Sequence, residues 1–324
     1  PNKKVQEQCV GIIRNLSMNE ANEIPMMEEG VIPPLIELLR SLNERIQEHA
    51  CVALRNLSMH PRCKLQMVQD GVMEPLVGLI RSPLEVIQEH TVVCIRNLSM
   101  ALDNVITIME NDALPPLIGM LRHHDPKIQE HAAVAIRNLS VHDECEAKVV
   151  SEGALPPLIY LLRHEIKTVQ EHAVGALRNL SVIPDNKNRI AKEGGVPPLI
   201  LLLKSNVDKI QELAAYTIHN LSAGSVLNQH NIVRDGGLVP LISLLSSRNE
   251  ATVEQAVGSL RNITLVDENK LKLVAEGGLL PVLTLLRFDR ESIQEHATGT
   301  VWNLSTHPEN ELKIVQEGAL AWLV

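Results

Sequence analysis

Eight asparagines, Asn15, Asn56, Asn97, Asn138, Asn179, Asn220, Asn262 and Asn303, follow one another at intervals of 41 residues, with a single interval of 42. Each opens an Asn-Leu-Ser or Asn-Ile-Thr tripeptide. A second series, Gly30, Gly71, Gly153, Gly194, Gly236, Gly277 and Gly318, keeps the same step, with Asp112 in the one remaining place. A period of this length describes a stack of like units, none of which can bury its apolar face alone. The extra residue falls between Asn220 and Gly236, which places a lengthened turn in or near Ala223-Gly224-Ser225.

Within each unit apolar residues recur at three and four spacing and nothing alternates with period two, so the units are helical. In residues 59–99 a short first helix around Leu65-Gln66-Met67-Val68 is ended by Gly71, whose missing Cβ permits a left-handed turn. Pro75 then marks the first turn of a second helix, where an absent N–H costs nothing, and Pro34, Pro116, Pro157, Pro198, Pro240 and Pro281 are its equivalents. A third helix runs from about Val86 to Asn97, with an apolar stripe of Ile87, Val93 and Ile95. The chain is 45 % apolar but only 2 % aromatic, so its core is built from Leu, Ile, Val and Ala, as helix packed on helix requires. The fold class is all-α.

The unit as it stands at 153–162 and 170–181, Gly-x-x-Pro-Pro-Leu-Ile-x-Leu-Leu followed by Gln-Glu-His-Ala and Ala-Leu-Arg-Asn-Leu-Ser, resembles the armadillo repeat family over the whole chain. Among relatives, Gln170-Glu171-His172-Ala173 with Asn179-Leu180-Ser181 looks most like the repeats of plant U-box proteins and the yeast vacuolar armadillo protein. The resemblance implies a right-handed superhelical α-solenoid of three-helix repeats, with third helices lining a concave groove. Residues 1–17 then form a partial unit, seven repeats occupy 18–58, 59–99, 100–140, 141–181, 182–222, 223–264 and 265–305, and 306–324 begin another. Neither end carries a polar capping repeat, so the solenoid is expected to be a piece of a longer protein.

Equivalent helices of stacked repeats lie about 8–10 Å apart, so a residue recurring every 41 positions becomes a ladder. At about 100° per residue, the positions 4, 7, 8 and 11 before each Asn share its side of the third helix, and the position just before it lies at the edge. Glu stands 8 before every Asn, from Glu7 to Glu295. His49, His90, His131, His172 and His296 stand 7 before, and Arg14, Arg55, Arg96, Arg137, Arg178 and Arg261 immediately before, with His219 and Trp302 in the other two places. An Asn amide offers both donor and acceptor to an extended peptide, and it can equally bond its own helix end or the adjacent repeat. Arg recognises carboxylates, unless it is held in an ion-pair lattice with the Glu row. The expected partner-binding residues are therefore Asn56, Asn97, Asn138, Asn179, Asn220, Asn262, Asn303, Arg55, Arg96, Arg137, Arg178, Arg261, His49, His90, His131 and His172, joined by Tyr216 and Trp302 where the pattern breaks.

Other chemistries find little support. Histidines spaced at about 8–10 Å cannot meet around one zinc ion, so no metal site is expected. No phosphate loop or nucleophile elbow occurs, and neither a catalytic residue nor a cofactor is expected. A net charge of −9 and few aromatics disfavour nucleic acid as a partner. Every apolar run is too short to span a bilayer. Five cysteines without paired spacing read as free thiols, with Cys9, Cys51 and Cys94 as small buried residues, in keeping with a reducing setting, and the expected location is cytoplasmic, nuclear, or peripheral to a membrane through parts outside this sequence.

The function expected is a non-catalytic scaffold that holds an extended segment of another protein along the third-helix groove. The U-box likeness implies an alternative, a substrate-recruiting module of a ubiquitin ligase. A nuclear-localisation-signal receptor of the importin-alpha kind is less favoured, because the resemblance would place Trp 4 before each Asn, where this chain has Gly11, Val52, Val93, Val134, Gly175, Tyr216, Gly258 and Gly299. Trp302-Asn303-Leu304-Ser305 in the last full repeat suggests adhesion scaffolds of the beta-catenin sort.

Overall fold

The computed structural model describes residues 2–323, all of whose regular structure is helical. Pro1 and Val324, the outermost residues of the two partial units, lie outside the described residues. The helices gather into two compact units, Pro1–Pro157 and Leu158–Val324. In the first, the third helices Lys3–Leu16, Glu44–Leu57, Glu85–Leu98 and Pro126–Leu139 pack in chain order, each on the next. In the second, Lys167–Leu180, Asp208–Ser222, Glu250–Ile263 and Glu291–Ser305 do the same.

The first helices are nine residues long in seven units, as in Pro61–Gln69. Their ends show why glycine recurs. Gly71 has φ +82°, its N–H reaches the Val68 carbonyl at 3.1 Å, and Val72 N–H reaches Met67 at 3.1 Å. This left-handed double closure satisfies two carbonyls that a helix end leaves free. Asp112 adopts the same turn at φ +52°, the only described non-glycine residue with positive φ. The first unit departs from the pattern, since Glu20–Asn22 is a 3-10 turn before a helix of only Glu23–Glu28. Pro25 lacks an N–H and its ring opposes an α-helical carbonyl four residues earlier, so the chain tightens there.

The second helices, such as Met73–Leu79 and Val196–Leu202, carry their prolines in the first turn. Their far ends are closed by the Gln of the third helix's Gln-Glu pair: Gln47 donates to the Leu39 carbonyl at 2.8 Å, Gln170 to Leu162 at 3.2 Å and Gln211 to Leu203 at 3.0 Å. Third-helix ends are closed by a further 41-residue series on the first helices that the sequence reading passed over. Asn22 donates to the Leu16 carbonyl at 2.9 Å, Asn104 to Leu98 at 3.1 Å, Asn228 to Leu221 at 3.0 Å and Asn269 to Ile263 at 3.1 Å.

Two expectations need correction. In the third helix Glu85–Leu98 the buried stripe is Ile87, Val92, Ile95 and Leu98, while Val93 is only half-buried. Four residues before Asn97 is about 40° from it around the helix, which puts Val93 on the polar side. Cys51 and Cys94 are buried, with thiols pushed by burial up to about 12, whereas Cys9 is exposed on a flank of Lys3–Leu16 that no described residue covers. The extra residue of the 42-residue interval is absorbed where expected, at Gly224, whose φ of +74° turns the chain into the Ser225 cap of the next helix.

Replacing Gly71 by Ala should cost about 1 kcal/mol, and Asp112→Gly should stabilise by about 0.5–1 kcal/mol, because only glycine occupies the left-handed region without a Cβ penalty. Urea unfolding of both variants at one pH checks the pair of opposite signs.

Candidate functional site on the third helices

The end of each third helix leaves carbonyls without helical partners. The hydroxyl two residues after the recurring Asn folds back onto one of them. Ser58 donates to the Arg55 carbonyl at 2.6 Å, Ser99 to Arg96 at 2.7 Å and Ser222 to His219 at 2.8 Å. The same hydroxyl oxygen then accepts from the Asn of the next repeat. In the first unit Asn56 donates to Ser17 at 3.1 Å, Asn97 to Ser58 at 2.9 Å and Asn138 to Ser99 at 3.1 Å. In the second, Asn220 donates to Ser181 at 2.9 Å, Asn262 to Ser222 at 3.1 Å and Asn303 to Thr264 at 3.2 Å. Of the structural roles open to these asparagines, the chain uses the bond to the adjacent repeat. The Asn-Leu-Ser and Asn-Ile-Thr tripeptides already held the signal, because a hydroxyl follows every Asn at the same distance.

The Asn oxygen is engaged from its own repeat. Arg96 donates to Asn97 Oδ1 from both Nε and a terminal nitrogen, at 3.1 and 2.8 Å, Arg55 donates likewise to Asn56, and Arg178 to Asn179 at 3.3 Å. A remaining guanidinium nitrogen reaches the His of the next repeat: Arg55 to His90 Nδ1 at 3.0 Å, Arg96 to His131 at 3.3 Å and Arg261 to His296 at 3.3 Å. A guanidinium only donates, so each of these ring nitrogens accepts and is unprotonated. Burial, then the Arg55 charge, holds His90 below the ordinary imidazole range, and burial, His219 and Arg261 do so for His296.

The expected Arg–Glu lattice is therefore mostly absent from the bonds just described. Glu7 pairs with Arg45 at 3.4 Å, Glu254 with Arg290 at 2.7 Å and Glu212 with Lys209 at 2.8 Å, all near the starts of third helices. The Arg of one repeat is taken up instead by the His of the next, which follows that repeat's Glu, although the Glu130 charge still acts on Arg96. Arg261–Glu295 at 3.3 Å is the exception.

Where the pattern breaks, the contact is rebuilt. Leu213 replaces His and offers no acceptor, and Arg178 lies over the Tyr216 ring instead, 4.3 Å from its centre. His219 replaces Arg, Gln255 replaces the next His, and Nδ1 of the one meets Oε1 of the other at 2.6 Å. Trp302 is 72 % exposed and has no such role. His49, Arg137 and His172 are half-buried in their rows, while Asn97 is 1 % exposed, its amide also 3.2 Å from Met59 Sδ. Among the described residues no cluster of His, Cys, Asp or Glu could hold a metal ion, and no helix is long and apolar enough to cross a membrane.

The family model for the Armadillo/beta-catenin-like repeat matches this chain seven times, at 19–59, 60–100, 103–141, 142–182, 184–223, 225–265 and 267–306. The chain belongs to the armadillo repeat family. Its armadillo units align with an engineered protein at 26 % identity and a TM-score of 0.87, over 98 % of this chain and 79 % of the other. A second engineered protein aligns at 28 % identity and a TM-score of 0.68, over 73 % and 97 %. A designed armadillo repeat protein solved in complex with the peptide (KR)4 shares the fold at 24 % identity and a TM-score of 0.66, over 72 % and 99 %. Comparison with curated protein sequences gives no match.

Asn97→Ala removes a buried donor from the Ser58 hydroxyl and should cost about 1–3 kcal/mol. Asn15→Ala, at an exposed first position of the row, should cost less than about 0.5 kcal/mol in the same urea titration. The depressed His90 and His296 values set a second expectation. Below about pH 6.5 the unfolded chain takes up protons that the folded imidazoles resist, so stability falls as pH drops. His90→Gln/His296→Gln, which keeps an acceptor, should flatten the decline between about pH 7.5 and 5.5.

Proposed function

We propose that this chain is a non-catalytic scaffold that holds an extended segment of a partner protein across its third helices. The observation that carries the reading is the half-satisfied Asn row. Asn56 and Asn138 in the first unit, and Asn220 and Asn262 in the second, are half-buried and spend one amide hydrogen on the neighbouring hydroxyl. An amide nitrogen carries two hydrogens, so each keeps one for the carbonyl of a peptide backbone. Asn97 and Asn303 differ, since each also reaches a main-chain carbonyl of the preceding repeat, at 3.5 and 3.0 Å, and they serve the stack.

The designed armadillo protein with its bound peptide supports the use of this fold for extended ligands. Its peptide alternates Lys and Arg, a chemistry that the Arg row of this chain disfavours. No tryptophan stands 4 residues before an Asn to stack on basic side chains, which weakens the localisation-signal reading, and a ubiquitin-ligase role would rest on parts beyond these repeats.

Selection from a randomised peptide library, followed by affinities for the chain and two variants, tests the proposal. Arg55→Glu/Arg96→Glu should weaken selected peptides about tenfold or more, a change of about 1.4 kcal/mol. Tyr160→Ala/Leu201→Ala, on exposed second-helix positions, should leave them unchanged. The reverse pattern would assign binding to the second-helix face and overturn the reading.

A further inference from the structure

In the second unit two histidines meet across a helix that belongs to neither. His219 lies on Asp208–Ser222 and His296 on Glu291–Ser305, and both of these helices pack on Glu250–Ile263. The two ring centres are 5.8 Å apart, edge to face at 81°. Gly258 of the middle helix makes the contact possible. A Cβ there would lie 3.1 Å from Cε1 and Nε2 of His219 and 3.4 Å from Cδ2 of His296. Gly299, at the same place one repeat on, leaves room for Arg261, whose Nε would stand 2.6 Å from a Cβ. Val52, Val93 and Val134 hold the equivalent places in three repeats of the first unit. Glycine inside a helix is disfavoured, and a local rule broken twice where polar groups crowd together marks a site with a role beyond stability.

The hydrogen bonds fix which nitrogens remain basic. Gln255 Oε1 can only accept, so His219 Nδ1 carries a proton and Nε2, against Gly258, is the basic atom. Arg261 donates to His296 Nδ1 at 3.3 Å, so that nitrogen is basic in the second ring. Each ring therefore takes its next proton on the side that faces the joint. Both are half-buried, within reach of water. Burial, then His219 and Arg261, oppose a charge on His296, while Glu295 and Glu254 favour it. Those two carboxylates are already engaged, Glu295 with Arg261 at 3.3 Å and Glu254 with Arg290 at 2.7 Å. On the far side of His219, Glu212 is held by Lys209 and Asn249, and Arg178 lies over Tyr216. The second helices Leu238–Leu244 and Leu279–Thr284 carry no charge, and Arg234 and Lys270 on the first helices are paired with Asp235 and Asp267.

We propose that this three-helix joint is an acid-sensitive hinge, at which protons taken up by His219 and His296 detach Glu291–Ser305 from Glu250–Ile263. A proton on His296 Nδ1 sets a donor against the Arg261 donor and turns that hydrogen bond into repulsion. A proton on His219 Nε2 brings a third cation beside the same two. Close imidazoles titrate as a coupled pair, so each resists the other's charge while the joint is closed and is released from that resistance when it opens. Asn303 donates to the Arg261 carbonyl at 3.0 Å and to Thr264 at 3.2 Å, so these bonds go next and the last rung of the Asn row goes with them. The sign follows from His296, which is held below its ordinary value. Its contribution to the closed joint is whole above about pH 6.5 and is lost as the pH falls, because the opened helix binds the proton more readily. The device needs no ligand and goes beyond the scaffold reading.

Hydrogen exchange of the full chain, read by mass spectrometry and corrected for the intrinsic effect of pH, tests it. Between about pH 7.5 and 5.5, residues 291–305 should lose protection about tenfold, while the uncharged second helix 238–244 changes less than about twofold. His219→Gln/His296→Gln, which keeps hydrogen-bonding groups in both places, should hold the protection of 291–305 within about twofold at the lower pH. In nuclear magnetic resonance titration of the ring-carbon protons, His219→Gln alone should move the His296 midpoint up toward the ordinary imidazole value. That reading decides the matter even if the double variant does not fold. An unmoved His296 midpoint, or undiminished protection of 291–305 at the lower pH, overturns the proposal. Equal losses in 291–305 and 238–244 would mean acid unfolding of the whole unit and would overturn it as well.

Discussion

A serine or threonine hydroxyl shared between two repeats is the interaction on which the rest of the architecture depends. It closes the end of its own third helix and accepts the Asn amide of the next, so one oxygen ends one unit and positions the following one. A net gain of about 1 kcal/mol for each such bond is modest, but leaving a buried partner unpaired costs about 1–3 kcal/mol. Spacing of the third helices is thereby set by a bond with a narrow length range, where apolar packing alone would tolerate sliding. The Arg and His rows follow from it, because the Asn oxygen turned back toward its own repeat is what the guanidinium binds.

This arrangement also decides the electrostatics of the face. An arginine held by an amide oxygen and a neutral imidazole is oriented without being neutralised, which differs from an arginine in an ion pair. The substitutions in the second unit keep the principle while changing the groups. Arg178 over Tyr216 retains a fixed cation beside Asn179, and His219 with Gln255 retains an inter-repeat hydrogen bond without a guanidinium. The surface therefore varies in charge from repeat to repeat on an unvarying frame.

Much of this frame was legible in the sequence. The Asn and Gly series located the glycine turns and the inserted residue at 224, since each is a local backbone requirement written at a fixed interval. The helical wheel placed Asn, Arg, His and Glu on one broad side, yet it overstated the contact between Arg and Glu. The wheel compares residues within one helix, whereas each Arg is taken up by the His of the next repeat, and Glu7, Glu212 and Glu254 pair with cations near the helix starts. Cys9 was misplaced because periodicity assigns a helix face but cannot supply the neighbour that would cover it.

The clamp on the third-helix ends carries a consequence for mechanics. In the first unit Asn22 and Asn104 hold the ends of their preceding third helices, but Cys63 and Cys145 occupy the intervening places, and a thiol replaces an amide with two strong donors. Cys63 turns instead to the Glu23 carbonyl at 3.7 Å. In the second unit the Asn186 amide nitrogen has no hydrogen-bond partner among the described residues, and Asn228, Asn269 and Asn310 clamp the three ends that follow. The first unit is thus a beam with alternating stiff and compliant joints, and bending on a ligand would concentrate at the ends of helices Glu44–Leu57 and Pro126–Leu139, beside the side chains a ligand would touch.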